Sequence, residues 1–416
     1  MRRHSGPASS RQGAVTIPLL LALLEGVAPL TAATLRVDAA HPRCQAAAPP
    51  VAPDRDAARE TVVCSLLEAL QAANADPEAD RIELGPGSLH RLAAVNHRRE
   101  GGNGLPAVTG TVVVEGRGAV VERSPAPGTP IFRLLRVEAG GDLTLRDLTL
   151  RRGATEPGYD GAAVWNRGRL TLEGCALEGN YSGDDGGAVR NDGTLVAIDS
   201  VFRGNQARGR GGTGGALYNV AIGGPGTARL KRCALVDNEA GSSGGAVWNE
   251  GELVAVNTTL SDNRAIWGGG GLHNNGRALL HHVTVATNRA SVIGGGVRAQ
   301  GPVELVHSLL AGNESPIGPD CEGSLYATDR NWIENPSDCP AAGDEVSIGP
   351  DTGLGPLDDY GGPTPTHALL PGSSVRDAAR PWSEGCPEDD QRGEPRPAGS
   401  GASATARCDL GAYEAR

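Results

Sequence analysis

The sequence is short of aromatic and basic residues. Of 416 residues, two are Phe, five Trp and six Tyr, and one is Met. A single Lys, Lys231, stands in a chain of formal charge −11, with no basic cluster. That balance excludes a nucleic-acid binder. No segment beyond the N-terminus is long and apolar enough for a membrane helix. Glycine, by contrast, is abundant, with 61 residues beside 29 Pro. It follows no strict three-residue period, which excludes collagen. A hydrophobic content of 39% supplies a core and excludes wholesale disorder.

The first residues carry Arg2, Arg3 and Arg11 and no acid, then an apolar run from Ala14 to Leu24. Thr31-Ala32-Ala33 offers small residues for cleavage after Ala33, so residues 1–33 read as a secretory signal. The expected location is therefore outside the cytoplasm: secreted, periplasmic or on the bacterial cell surface. Eight Cys suit an exported chain. Three neighbouring pairs are expected as disulfides: Cys44–Cys64, Cys321–Cys339 and Cys386–Cys408.

Internal repetition decides the fold. Gly161-Ala162-Ala163-Val164-Trp165-Asn166 recurs at Gly187–Asn191, Gly215–Asn219, Gly245–Asn249 and Gly270–Asn274. A last copy at Gly295–Ala299 loses its Asn. A second column, Cys175, Ser200, Cys233, Thr258, Val283 and Ser308, is followed five residues later by Asn180, Asn205, Asn238, Asn263, Asn288 and Asn313. Apolar residues between these points alternate with period two, which marks strands. A unit of about 25 residues holding about three short strands is one coil of a right-handed parallel β-helix. Like positions then stack about 4.8 Å apart. The second Asn column is expected to form a side-chain amide ladder. Cys175 and Cys233 fall two coils apart, beyond disulfide reach, and are expected as buried free thiols. The leucine-rich repeat has a similar length, but its helix-forming half is absent.

Ser65-Leu66-Leu67-Glu68 is a capping box opening an amphipathic helix through Asn74, suited to plugging the N-terminal end of the stack. Ile82–Leu84, Thr111–Val114 and Ala119–Val121 read as strands of the first coils. The period fades near Cys321. The chain therefore divides into a signal (1–33), an N-terminal segment with the capping helix (34–80), β-helix repeats (81–320) and an irregular C-terminal cap (321–416).

Cys64-Ser65-Leu66-Leu67-Glu68-Ala69 resembles the CSLREA motif of exported bacterial β-helix proteins, with Leu67 where the motif has Arg. The run from Gly355 to Ser373, Asp390-Gln391-Arg392-Gly393 with Arg396-Pro397, and Cys408-Asp409-Leu410-Gly411-Ala412-Tyr413-Glu414 are similar to the choice-of-anchor Q segment. The repeats resemble those of polymorphic outer-membrane proteins, and Phe202-Arg203-Gly204-Asn205 fits their FxxN element. These resemblances imply an exported β-helix protein of pectin lyase-like fold. A surface-sorting tail or β-barrel translocator is not expected after Glu414.

Three candidate sites follow. The residue before each repeat Asn is expected to face outward, giving a stripe of Trp165, Arg190, Tyr218, Trp248, His273 and Arg298. As an exposed stripe it would stack on sugar rings and pair with their carboxylates. Alternatively, its rings pack beneath neighbouring loops. A polysaccharide lyase of this fold would need carboxylates to hold calcium and a basic residue beside them. Asp184, Asp185, Asp192, Asp199, Glu250 and Glu252 are available but share no single column, so they are read as solvated turn acids. His282 and His307 share a slot, with His281 alongside; a metal pair or a plain surface turn both fit, no third ligand is evident, and no metal is expected. Three functions remain open. They are a non-catalytic adhesin-like protein binding an extracellular polysaccharide or host cell-surface glycan, a polysaccharide lyase or hydrolase, and a structural spacer. No cofactor is expected beyond calcium in a lyase.

Overall fold

The structure, a computed structural model, describes residues 34–37, 60–75, 78–209, 211–221, 224, 226–342, 346–349, 352–380, 385–398 and 406–416. The signal segment and Cys44 lie outside the described residues. Cys64 is disulfide-bonded, and Cys321–Cys339 and Cys386–Cys408 are joined.

Among the described residues, twenty-six strands form one parallel sheet wound into a β-helix. The coil beginning at Gly244 shows the plan. A turn at Gly244-Gly245 leads into strand Val247–Asn249; strand Glu252–Ser261 follows, bent at Asn257, and then the short strand Arg264–Ala265. Each pairs in parallel with its counterpart one coil on: Val247 with Leu272, Leu253 with Ala278, Leu260 with Val285 and Arg264 with Arg289. Alternation along Glu252–Val256 sends Leu253 and Ala255 inward and leaves Val254 and Val256 facing out. Each buried Leu contributes about 1.5–3 kcal/mol of transfer free energy.

The Gly-Gly pair of the repeat has two separate causes. Gly244 sits at φ +69°, a left-handed conformation that favours glycine. Gly245 has an ordinary φ, but a Cβ there would lie 2.1 Å from the Gly270 carbonyl of the next coil.

Polar columns run through the interior. Asn180, Asn205, Asn238, Asn263, Asn288 and Asn313 are joined by Nδ2–H donation to the next Oδ1 at 2.8–3.0 Å, ending on Asp320. The repeat Asn residues make a second ladder, Asn166 through Asn191, Asn219 and Asn249 to Asn274, at 2.6–2.7 Å. Cys175 and Cys233 are free and buried. Each backbone amide donates to the hydroxyl one coil on, Ser200 or Thr258.

The coils extend beyond both expected limits. Thr34–Val37 and Glu60–Val63 already pair in the sheet, and so do Cys321–Thr328, Asn331–Ile333, Ala341–Ala342 and Val346–Ile348. Insertions and lost Gly signals hide these strands from a period count. The helix Leu66–Ala75 buries Leu66, Ala69, Leu70 and Ala73. Its capping box is formed, with Ser65 Oγ accepting from Glu68 N and Glu68 Oε2 accepting from Cys64 N.

From Thr352 onward the chain leaves the coils. A hairpin, Leu354–Asp358 with Thr366–Leu369, and the segments around Asp389 and Leu410 lie against the outside of the later coils. Leu369, Val375, Ala379, Cys408 and Leu410 pack there on Leu309 and Ala311, forming a second small core.

Candidate functional site

The stripe faces outward, in register, as Arg136, Trp165, Arg190, Tyr218, Trp248, His273, Arg298 and Glu322. It is not an open sugar platform. Trp165 is only 8% exposed and His273 only 2%. At coil spacing the side chains lie face to face along the axis and cover one another. The Arg136 and Arg190 guanidiniums lie 4.3 and 4.8 Å from the Trp165 ring centroid, one from each neighbouring coil, and Arg133 lies 5.0 Å away. Trp248 stacks on His273 at 4.1 Å.

Most of the polar ends are occupied too. Trp165 Nε1–H donates to Asp192, Trp248 Nε1–H to Glu250 and the Tyr218 hydroxyl to Glu250. Arg298 pairs with Glu322. Burial first, then Glu250, raises the Tyr218 pKa. Burial lowers that of His273. The stripe is thus a largely self-paired ladder, with Arg136 Nη1 and His273 Nδ1 left without a hydrogen bond, and is closer to the alternative of rings packed under their neighbours.

Carboxylates do converge, contrary to the reading of scattered turn acids. Asp160, Asp184 and Asp185 bring oxygen atoms within 4.8 Å of one another. Asp160 and Asp185 share one slot, each six residues before its repeat Asn, with Asp184 alongside, and turns of adjacent coils overlie: the Gly161 amide donates to the Asp185 carbonyl, and the Asp185 amide donates to Asp160 Oδ1. Two of the three are already engaged. Asp160 is ion-paired with Arg190, which also holds Asp192 at 2.8 Å. Asp185 accepts from the Thr213 amide and hydroxyl, both at 2.8 Å. Burial pushes the Asp185 carboxyl up to about 6 despite those donors. Asp184 is raised by burial, then by Asp160. Asp199 lies apart, paired with Arg232, and Glu252 is exposed.

An open aromatic surface that was not singled out in the sequence lies elsewhere, and Tyr326 and Tyr181 are separate exposed rings. Ile266 and Trp267 are 59% and 51% exposed, and Ile317 is 44% exposed. They lie on the turn edge beside Trp248 and His273, where Gly268, Ile293 and Ile317 pair coil to coil. Trp267 fills a slot just ahead of the repeat glycines that holds Ser242 and Val292 in the neighbouring coils, so it lies outside the repeated motif that carried the expectation.

His281, His282 and His307 do not form a surface turn. His282 and His307 are fully buried and His281 is partly covered, because the C-terminal segment lies over them. His281 Nε2–H donates to the Gly385 carbonyl at 2.9 Å. Burial, with the neighbouring imidazoles and Arg396, keeps all three neutral: His281 is lowered to about 4, His307 to about 3, and His282 well below the usual histidine value. A concavity lies on the same flank, lined by Asp262, Thr287, Gly312, Leu357 and His367.

Compared with known protein families, with curated proteins and with solved structures, the chain matches none. No described helix is long and apolar enough to cross a membrane.

Proposed function

We propose that this is an exported, non-catalytic β-helix protein of the choice-of-anchor Q type that binds an extracellular polysaccharide or cell-surface glycan. The N-terminal signal pattern, the disulfides Cys321–Cys339 and Cys386–Cys408 and the motifs around Gly355–Ser373 and Cys408–Glu414 support export and the family. The observation that carries glycan binding is Trp267. Its ring is half exposed on a turn edge with Ile266 and Ile317, flat apolar surface of the kind sugar rings stack upon. The acidic chain favours a neutral polymer over an acidic one.

The second reading is a calcium-dependent polysaccharide lyase, favoured by Asp160, Asp184 and Asp185 beside Arg190. One experiment separates the two. The mature protein is passed over a panel of neutral and acidic polysaccharides, with and without calcium, and new chain ends are assayed. Retention on one polymer without new ends, lost in Trp267→Ala, is the expected result. Calcium-dependent chain ends, lost in Asp184→Ala, would replace it with the lyase. Neither retention nor cleavage would leave the structural spacer.

A further inference from the structure

We propose that His281, His282 and His307 form a binding site for one divalent transition-metal ion, closed over by the C-terminal segment. Two adjacent coils supply the ligands. His282 and His307 occupy one column, both at left-handed corners with φ of +50° and +49°. The corner at His282 turns the chain so that consecutive residues, His281 and His282, present their rings to the same place. One nitrogen from each ring lies within 4.8 Å of the others.

The His282–His307 spacing is that of two ligands in a coordination shell, and the His281 ring stands close enough to complete a third position by a small inward shift. A tetrahedral ion bound to imidazole nitrogens at about 2.0–2.1 Å sets those nitrogens about 3.3 Å apart and the ring centroids about 5.2 Å apart. His307 Nδ1 and His282 Nε2 are 3.2 Å apart. The three centroid separations are 4.9, 5.0 and 6.1 Å. One proton now lies between His307 Nδ1 and His282 Nε2. An ion taking its place sends that proton to His307 Nε2, which gives up a long 3.4 Å contact from the Arg380 amide. Binding therefore rearranges tautomers without net proton release.

The surroundings have the features of a metal site. His281 Nε2–H is held by the Gly385 carbonyl, which leaves the lone pair on Nδ1, as in metal-bound histidines whose outer nitrogen is fixed by a carbonyl. The nearby cations are ion-paired: Arg396 with Glu414 at 2.8 Å and Arg380 with Asp329 at 2.7 Å. An all-imidazole donor set selects zinc, copper, nickel or cobalt over calcium or magnesium.

The test uses the full mature chain stripped with a chelator, then titrated with Zn²⁺ and, separately, Co²⁺. The expected result is one equivalent bound, a raised melting temperature with Zn²⁺, and the intense visible bands of tetrahedral Co²⁺. His282→Ala and His307→Ala should abolish binding. Because both rings sit in the packed corner, the decisive variant is His281→Gln on the partly covered ring, with the fold checked by circular dichroism. It should bind at least tenfold more weakly while melting as the metal-free parent does. Absence of Co²⁺ bands and of any Zn²⁺ shift would overturn the proposal. So would unchanged binding in His281→Gln, which would place the ion elsewhere, for instance at Asp160, Asp184 and Asp185.

Discussion

The Asn257 side-chain amide donates to the backbone carbonyl of Asp389 at 2.6 Å, across 132 residues of chain. Asn257 belongs to a column of left-handed corners that includes Asp199, Arg232, His282, His307 and Asp329. The C-terminal segment runs along this column in reverse order. Arg380 meets Asp329 and His307, Gly385 meets His281, and Asp389 meets Asn257 and Arg232. The corner residues turn their side chains away from the barrel core, and the segment uses them as a row of anchors.

Asp389→Ala should therefore loosen this segment without unwinding the coils. Arg232 keeps its two-pronged pair with Asp199 at 2.6 and 2.8 Å, so no guanidinium is stranded. The expected cost is about 1–2.5 kcal/mol. Limited proteolysis should cut the variant sooner within residues 352–416, while the coil fragments persist. Equal cleavage rates in variant and parent would remove Asp389 from the docking.

Burial also makes a prediction about the thiols. It pushes both Cys175 and Cys233 up to about 12. The thiolate is the reactive form, so neither should react with a disulfide reagent in the native protein near neutral pH. Both should titrate on denaturation. Fast native labelling of either would mean that the coil opens locally far more often than its packing implies.

Acid should weaken the docking of the C-terminal hairpin. His367 hydrogen-bonds Gly355 O through Nδ1 at 2.8 Å and Ser261 Oγ through Nε2 at 2.9 Å. Burial lowers its pKa below 6.5. The unfolded state therefore takes up the proton first as pH falls. The contribution is fully present above about pH 6.5 and is lost progressively below it. Melting temperatures at pH 7.5 and pH 5 should differ less in His367→Gln than in the parent. An unchanged difference would assign the pH dependence to other groups.

The coils were legible in the sequence because their constraints repeat. Gly244-Gly245, Val247 and Asn249 recur at like spacing, since each must meet the same neighbour one coil away. The Trp165 column was legible as outward-facing but not as covered. Its cover comes from Arg136, in the strand Leu135–Val137, which carries no trace of the repeat motif. The histidine trio read as a pair with a neighbour, because only the backbone conformation at His282 brings His281 to the same side. Docking of Asp389 on Asn257 had no periodic signal, since it joins distant segments once.

Gly245 and Gly204 separate the two reasons for glycine in this chain. Gly204 has φ +63° with open space around its Cβ position, so Gly204→Ala meets only backbone strain, about 1–2 kcal/mol. Gly245→Ala meets no such strain. Its methyl would instead sit 2.1 Å from the Gly270 carbonyl and 2.7 Å from the Arg264 backbone. Both are backbone held by hydrogen bonds to neighbouring coils, so the coil itself must move. Separating two coils breaks ladder hydrogen bonds along the whole turn, and the Asn249–Asn274 bond with them. The expected loss exceeds about 4 kcal/mol, or prevents folding outright. Urea denaturation of the two variants beside the parent checks the order. A Gly245→Ala variant as stable as Gly204→Ala would mean that the coils can shift apart at this turn at little cost, and that stacking distance does not dictate the second glycine of the repeat.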